Sequence, residues 1–199
     1  MEFDAFKDLL LRQRAIRKFD VSRPVDDALV AQAIRLAEFA PNGGNRQPWR
    51  FIVIRNPETK AGLGKIFDEL GAQLYGANAP ERTPWQDVPV LVAVCSIAGA
   101  AGPAGGQTAA ASVYPAVQNL LLTVHSMGLG SVLTTRWKAR EAEVKKLLDL
   151  PENVEMHAIL PIGWPERQYG RGRRVPMAEV TYREKYGEPW LAAPEIRVT

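Results

Sequence analysis

A sharp bend between a helix-like segment and a strand-like segment constrains the fold of this chain more than any other feature. Residues 40–51 read APNGGNRQPWRF. The two adjacent glycines allow the backbone to turn sharply and to approach a ligand closely. The same stretch carries three side-chain amides, which can donate and accept hydrogen bonds along the edge of a heterocycle. They are Asn42, Asn45 and Gln47. The segment is either an ordinary helix-to-strand loop or a ligand-binding bend.

Helical and strand patterns follow one another irregularly along the chain. Helical spacing of apolar residues predicts helices over 4–14, from an Asp26 or Asp27 cap to Phe39-Ala40, and over 58–75, 108–127 and 139–149. Apolar and β-branched runs predict strands over 49–54, 90–96, 131–135 and 156–162. This order lacks strict βαβ alternation, so we predict an α+β sandwich formed by one domain, residues 1–199.

The longest helical pattern contains Pro115, a residue that a helix interior disfavours. Either the regular helix begins near Tyr114 with the proline in its first turn, or the helix kinks at Pro115. Before this helix, residues 98–106 form a loop of small residues that could move over a site.

Composition excludes several classes of protein. The single cysteine, Cys95, rules out an intrachain disulfide, and its apolar neighbours predict a buried position. The sequence shows neither a signal-peptide pattern nor an apolar run of about 20 residues, so we expect a soluble, cytoplasmic protein without membrane contact. A net charge of +3 is too small to argue for a nucleic-acid partner.

Basic residues cluster near both ends of the sequence. They are Arg12, Arg14, Arg17, Lys18 and Arg23 near the start, and Arg167, Arg171, Arg173 and Arg174 near the end. These clusters are either two solvated surface patches or two parts of one phosphate site.

The sequence lacks the patterns of catalysis without a cofactor. Only two histidines are present, His125 and His157, and they lie on different predicted elements, so no metal site is expected. Gly62-Leu63-Gly64-Lys65 lacks the spacing of a phosphate loop, and no nucleophile elbow occurs. We therefore assign no catalytic side chain, and an enzyme of this sequence would need an organic cofactor.

Four segments, in order, carry a resemblance to a known family. They are residues 14–19 (RAIRKF) with Pro24-Val25, residues 40–51, residues 116–131 (AVQNLLLTVHSMGLGS), and residues 161–165 (PIGWP) followed by 173–176 (RRVP). Over almost its whole length the chain resembles the nitroreductase superfamily of FMN-dependent oxidoreductases. The second segment is the most specific match, close to that family's Ala-Pro-Ser-Gly-Gly-Asn-x-Gln-Pro-Trp.

The resemblance implies a fold and a cofactor site. The implied fold is a three-layer sandwich, with a central mixed sheet flanked by helices, in an intertwined homodimer. Arg14, Ala15 and Arg17 would bind the phosphate and ribityl side of FMN, joined by Arg173 or Arg174. The bend would lie against the flavin ring, commonly in the opposite subunit. Its implied contacts are Pro41, Asn42, Gly43, Gly44, Asn45 and Gln47. Thr134, Thr135 and Arg136 fall where the family places further contacts to the ring.

This chain departs from the family pattern at two places. It has Gln13-Arg14-Ala15 where many relatives have Arg-Arg-Ser, which removes one cationic group and one hydroxyl. Asn42 replaces the common serine of the bend. Both departures bear on the strength of FMN binding and on the electron acceptor.

The implied activity is hydride transfer from NADH or NADPH, through flavin N5, to a small-molecule acceptor such as a nitroaromatic or a quinone. Alternatives are a flavin-fragmenting or reductively dehalogenating enzyme of the same fold, and a flavin-binding storage or sensor protein without turnover. A nucleic-acid-binding module is the least favoured alternative.

The C-terminal segment 175–199 reads as an extended arm. It contains Tyr182, Tyr186 and Trp190, and large apolar side chains on an extended segment need a surface to cover. We expect this arm to wrap a partner subunit.

Overall fold

The computed structural model describes residues 2–99 and 106–190, without the side chains of 106–108. The chain divides into two compact units, Met1–Tyr169 and Gly170–Thr199. Among the described residues, no helix is long and apolar enough to cross a membrane.

A four-stranded sheet forms the centre of the larger unit. Its strands are β1 (Trp49–Ile54), β2 (Val90–Ile97), β3 (Gly130–Ser131) and β4 (Val154–Gly163), in the order β1-β2-β4-β3. All three strand pairs are antiparallel. Among the described residues, the parallel component of the sheet is a single bridge between Ala15 and Ser131.

Five helices surround this sheet: α1 (Phe3–Arg12), α2 (Asp27–Ala37), α3 (Pro57–Tyr75), α4 (Gly106–Ser126) and α5 (Glu141–Leu147). Local signals set two of the starts. The Asp26 side chain accepts a hydrogen bond from Ala28 N at the start of α2, and Asn56 caps α3 just before Pro57.

Two apolar clusters cover the two faces of the sheet, as the alternation of side chains along β2 requires. Val90, Val92 and Val94 pack with α2 and α4 on one face. Leu91, Ala93 and Cys95 pack with α3 and α5 on the other. The larger unit is therefore an α+β sandwich of three layers, and the predicted core position of Cys95 is confirmed.

Two predicted elements differ in the structure. The helix α4 runs from Gly106 through Pro115 to Ser126, so a start near Tyr114 is wrong. Burial of its apolar side chains, among them Val113, Val117 and Leu120, offsets the backbone hydrogen bond that the proline removes.

The third predicted strand, 131–135, is also too long. Only Gly130 and Ser131 pair as a strand, and Thr134 meets β4 through a separate bridge to Ile159. A short 3-10 helix follows at Arg136–Arg140, and it takes the first residues of the helix predicted over 139–149.

The smaller unit contains little regular structure in its described part. A 3-10 turn covers Met177–Glu179, and Tyr182 bridges Pro189. Residues 191–199 of the predicted arm, and most of the loop 98–106, lie outside the described residues. The partner-wrapping role of the arm and the mobility of the loop remain predictions.

Candidate functional site

The first motif is held at one end of the sheet beside β3. Ile16 N donates to Ser131 O at 3.0 Å, and Ala15 forms its parallel bridge to the same residue. Gly130 makes this approach possible, because a Cβ there would lie 2.7 Å from Cγ2 of Ile16. The close packing fixes Arg14, Ala15 and Arg17 at this edge.

Ala15 and Arg17 line an open cavity of about 620 Å³. Its other lining residues are Lys18, Pro80, Glu81, Glu166, Arg167 and Tyr169. A volume of this size falls within the range of small-molecule sites. The cavity can therefore accommodate a ligand of cofactor size.

The charges around this cavity are not equally available to a ligand. Lys18 forms an ion pair with Glu81, whose hydrogen bond raises the pKa of Lys18 and lowers that of Glu81. The exposed Arg17 donates through Nη1 to Ala15 O at 3.3 Å, and among the described residues no carboxylate lies within 4 Å of its guanidinium. Arg17 thus supplies positive charge for an anionic ligand.

A loop that returns to the sheet supports the first motif from the other side. Thr83 N donates to Arg17 O at 2.9 Å, and Phe19 N donates to Thr83 Oγ1 at 2.9 Å. The hydrogen bonds of this loop to the first motif carried no sequence signal.

Arg17 and Thr134 also line one small, mostly enclosed cavity, together with the stacked rings of Phe67 and Trp85. The Thr134 hydroxyl donates to Ile159 O at 2.6 Å, so it can only accept a hydrogen bond from a ligand. The structure therefore brings Arg17 of the first motif and Thr134 together.

Two tryptophans on the face of the sheet covered by α3 and α5 belong to the core. Trp85 and Trp137 are both buried, and Trp137 Nε1 donates to Thr134 O at 3.0 Å. Trp49 is buried on the opposite face of the sheet. Sequence alone does not separate a buried core tryptophan from one that lines a ligand site.

The amide-rich bend is fixed by its own side chains. Asn42 Nδ2 donates to Ala40 O at 3.2 Å, and Asn42 Oδ1 accepts from Gln47 N at 2.9 Å. Gly44, Asn45 and Gln47 all have φ between +49° and +59°, a left-handed conformation that glycine and asparagine tolerate best. Asn42 thus acts as an internal brace, a role that the sequence did not reveal.

The bend and the first motif lie at opposite ends of the sheet. Trp49, which follows the bend, pairs with Ser96, whereas Val90 pairs with Ile162 beside Gly163 and the first motif. The six residue steps from Val90 to Ser96 span about 20 Å of strand. The structure thus does not bring Asn42, Asn45 or Gln47 to Arg17 within one chain.

Arg173 and Arg174 belong to the smaller unit. Both are exposed, and Arg174 Nη1 donates to Arg173 O at 2.8 Å. Their contribution to a phosphate site remains a prediction.

Two further titratable groups, His157 and Cys95, are buried in the core. His157 is buried with Nε2 2.7 Å from Ser96 Oγ, and burial lowers its pKa. Burial raises the pKa of the Cys95 thiol to about 11. Among the described residues, no group of three or more His, Cys, Asp or Glu side chains is arranged to hold a metal ion.

The sequence of this chain is similar to those of known proteins. The model of the Nitroreductase family matches residues 10–164. The chain is 28% identical over 172 residues to iodotyrosine deiodinase of Thermotoga neapolitana, covering 80% of this chain and 88% of that protein. It is 28% identical over 197 residues to NADH dehydrogenase of Thermus thermophilus, covering 87% and 93%.

A solved structure shows the same fold. The crystal structure of oxidised iodotyrosine deiodinase, bound to FMN and 3-iodo-L-tyrosine, superposes with a TM-score of 0.72 at 26% identity. The match covers 90% of this chain and 98% of the deiodinase chain.

Proposed function

This chain belongs to the Nitroreductase family, and from that premise we propose that it is an FMN-dependent oxidoreductase that passes electrons from NADH or NADPH to a conjugated small-molecule acceptor. The proposed acceptors are nitroaromatics and quinones. The observation that carries the proposal is the position of Arg17, which lines both a ligand-sized cavity and the small cavity beside Thr134. The name of the Thermus thermophilus relative supports a nicotinamide donor.

The residues of the first motif fit FMN. A guanidinium matches phosphate oxygens in a bidentate geometry, and Arg17 would supply one such group at the cavity. We propose that Arg14 supplies a second from the same motif. Arg173 or Arg174 would add a third from the smaller unit. When bound, the flavin would supply the hydride acceptor that no side chain of this sequence provides.

The protein's own residues would position and stabilise rather than react. Arg17 would hold the phosphate end of the cofactor, and the buried surroundings of Thr134 would exclude water from one side of the flavin ring. Thr134, Thr135 and the backbone of Arg136 would contact the ring. No side chain need donate a proton, because solvent could do so.

The site would be assembled from two copies of the chain. Arg17 and the bend lie at opposite ends of one sheet, so a ligand held by both needs the first motif of one copy and the bend of another. Exposed apolar side chains of α1, namely Phe3, Phe6 and Leu10, support an interface. We propose a homodimer in which residues 1–199 act as one domain and the arm 175–199 wraps the partner.

A second candidate function is reductive dehalogenation. The relative in Thermotoga neapolitana is named iodotyrosine deiodinase, and the superposed structure holds 3-iodo-L-tyrosine. A halogenated phenol would then take the place of the nitroaromatic acceptor.

Purification with a visible spectrum and mass analysis of the released chromophore tests the cofactor. We expect a flavin spectrum and the mass of FMN. Oxidation of NADH and NADPH is then followed without oxygen, with a nitroaromatic, a quinone or an iodophenol as acceptor. A folded protein that takes up no FMN supplied in excess would refute the proposal, and iodide release without nitro reduction would select the second candidate.

A further inference from the structure

Arg136 is held in an aromatic sandwich beside the proposed site. Its guanidinium carbon lies 4.2 Å from the ring centroid of Phe67 and 4.9 Å from that of Tyr75, and Nη1 donates to Phe67 O at 3.3 Å. Contacts of a guanidinium with ring faces are attractive and fix its plane. The side chain is therefore pre-positioned before any ligand arrives.

Helix α3 is recessed to admit this guanidinium. Gly71 lies under it, and a Cβ at that position would be 2.4 Å from Nη1 of Arg136. Any side chain here would force Arg136 out of the sandwich. Gly71 therefore acts as the floor of the arrangement.

The charge of Arg136 is not neutralised by its surroundings. The two acidic groups of the neighbouring turn are engaged elsewhere, Asp68 with Arg82 at 3.0 Å and Glu69 with Arg140. Among the described residues, no carboxylate lies within 4 Å of the Arg136 guanidinium. Arg136 has five guanidinium N–H groups, and its hydrogen bond to Phe67 O uses one of them. None of the five meets a carboxylate of the described residues.

The surroundings of Arg136 add both positive charge and aromatic surface. The guanidinium carbon of Arg82 lies 5.2 Å from the centroid of the same Phe67 ring. Burial lowers the pKa of Arg82 most, and repulsion from Arg136 lowers it further, whereas Asp68 raises it. Tyr75 is half-exposed at the end of α3. An aromatic ring with an attached anion would find a stacking surface and a positive charge together.

We propose that Arg136 and Tyr75 form a substrate subsite that selects aromatic acceptors bearing a carboxylate or phenolate. The inference rests on the proposed function, because Phe67 joins this subsite to the small cavity of Arg17 and Thr134. It assigns the Arg136 side chain to the acceptor, whereas the cofactor ring retains the backbone of residues 134–136. Arg136 would bind and orient the acceptor without taking part in electron transfer.

The test compares 4-nitrobenzoate with its neutral analogue 4-nitrobenzamide. Both are titrated by calorimetry into the FMN-loaded protein without a nicotinamide, and both are used as acceptors in steady-state assays. The variants are Arg136→Gln, Arg136→Lys and, as a matched control, Arg140→Gln. Arg140 lies in the same 3-10 helix, but its charge is already compensated by Glu69 and Glu143.

We expect Arg136→Gln to weaken 4-nitrobenzoate binding and raise its KM roughly tenfold, the scale of a lost charge-assisted hydrogen bond. Binding of 4-nitrobenzamide should stay within about twofold, Arg136→Lys should recover part of the loss, and Arg140→Gln should resemble the wild type. The wild-type affinity for 4-nitrobenzoate alone should fall with added salt.

Equal effects on both acceptors in Arg136→Gln, or no effect on either, would overturn the inference. If that variant does not fold, the salt dependence decides, and equal salt dependence for both compounds refutes the subsite. Turnover of neutral acceptors without preference for 4-nitrobenzoate would leave the proposed function intact and remove the subsite. Selective binding of 4-nitrobenzoate without turnover would support the subsite and refute the proposed function.

Discussion

Arg17 is the side chain on which the proposed phosphate contact depends most. Replacing it with leucine keeps a long side chain but removes the charge beside the cavity. We expect Arg17→Leu to weaken FMN binding by roughly tenfold to a hundredfold, the range for a lost charge-assisted hydrogen bond. The measurement is a flavin titration followed by fluorescence quenching.

Arg35→Leu provides the control for this prediction. Arg35 is exposed on α2, where it pairs with Glu38, and it lines a different surface. FMN affinity should be unchanged in this variant. Wild-type affinity in Arg17→Leu would remove Arg17 from the cofactor site.

His157 couples the stability of the fold to pH. Burial lowers its pKa below the ordinary 6.5, so the unfolded chain binds a proton that the folded chain resists. Its stabilising effect is complete above pH 6.5 and is lost as the pH falls from 6.5 towards the lowered folded value. The free energy of unfolding should therefore decrease over this interval.

Urea unfolding at pH 8, 6.5 and 5.5 measures this decrease. His157→Gln should show a shallower decline, because one of the two groups that titrate in this window is removed. The other is His125, whose pKa is lowered by burial and, to a smaller degree, by Arg12. An identical slope in His157→Gln and the wild type would show that His157 does not contribute.

Among the elements, β3 depends on a close approach of two backbones. A methyl group at Gly130 would lie 2.7 Å from Ile16, a buried side chain that cannot move away freely. We expect Gly130→Ala to destabilise the fold by about 1–3 kcal/mol through overpacking. FMN affinity should fall as well, because the same contact places Arg17.

Gly43→Ala is the matched substitution. Gly43 has no atom within 4 Å of an added Cβ, and its φ is not in the left-handed region. Thermal unfolding should show little change for Gly43→Ala and a clear loss for Gly130→Ala. Equal melting temperatures would mean that β3 shifts to accept the methyl group.

At the scale of elements, the sequence predicted the strands in which burial imposes a pattern of apolar residues. The bounds of β1, Trp49–Ile54, and the buried run of β2 follow from apolar periodicity. The short β3 could not be predicted, because two paired residues leave no periodic pattern. The same limit applies to the Asn42 brace and the Arg136 sandwich, which depend on contacts between distant segments. The family resemblance proposed the residues of the site but carried no information on these contacts.

At the scale of the whole molecule, the separation of Arg17 from the bend decides how a complete site can form. The length of β2 lies between them, about 20 Å from Val90 to Ser96. In a homodimer related by a two-fold axis, each of two equivalent sites would take the first motif from one copy and the bend from the other. A lesion in the first motif of one copy and a lesion in the bend of the other would then fall on the same site of a mixed dimer, and the second site would carry neither.

Subunit complementation tests this arrangement. Arg17→Leu removes the charge of the first motif, and Gly43→Trp places a bulky ring in the open space beside the bend. Each variant alone should bind little FMN. When the two chains are co-expressed with different tags and isolated through both, one site of each dimer carries both lesions and the other carries none. The mixed dimer should therefore bind FMN at about half of its sites with wild-type affinity. If Arg17 and the bend served the same chain's site, every site would carry one lesion and no FMN binding would return.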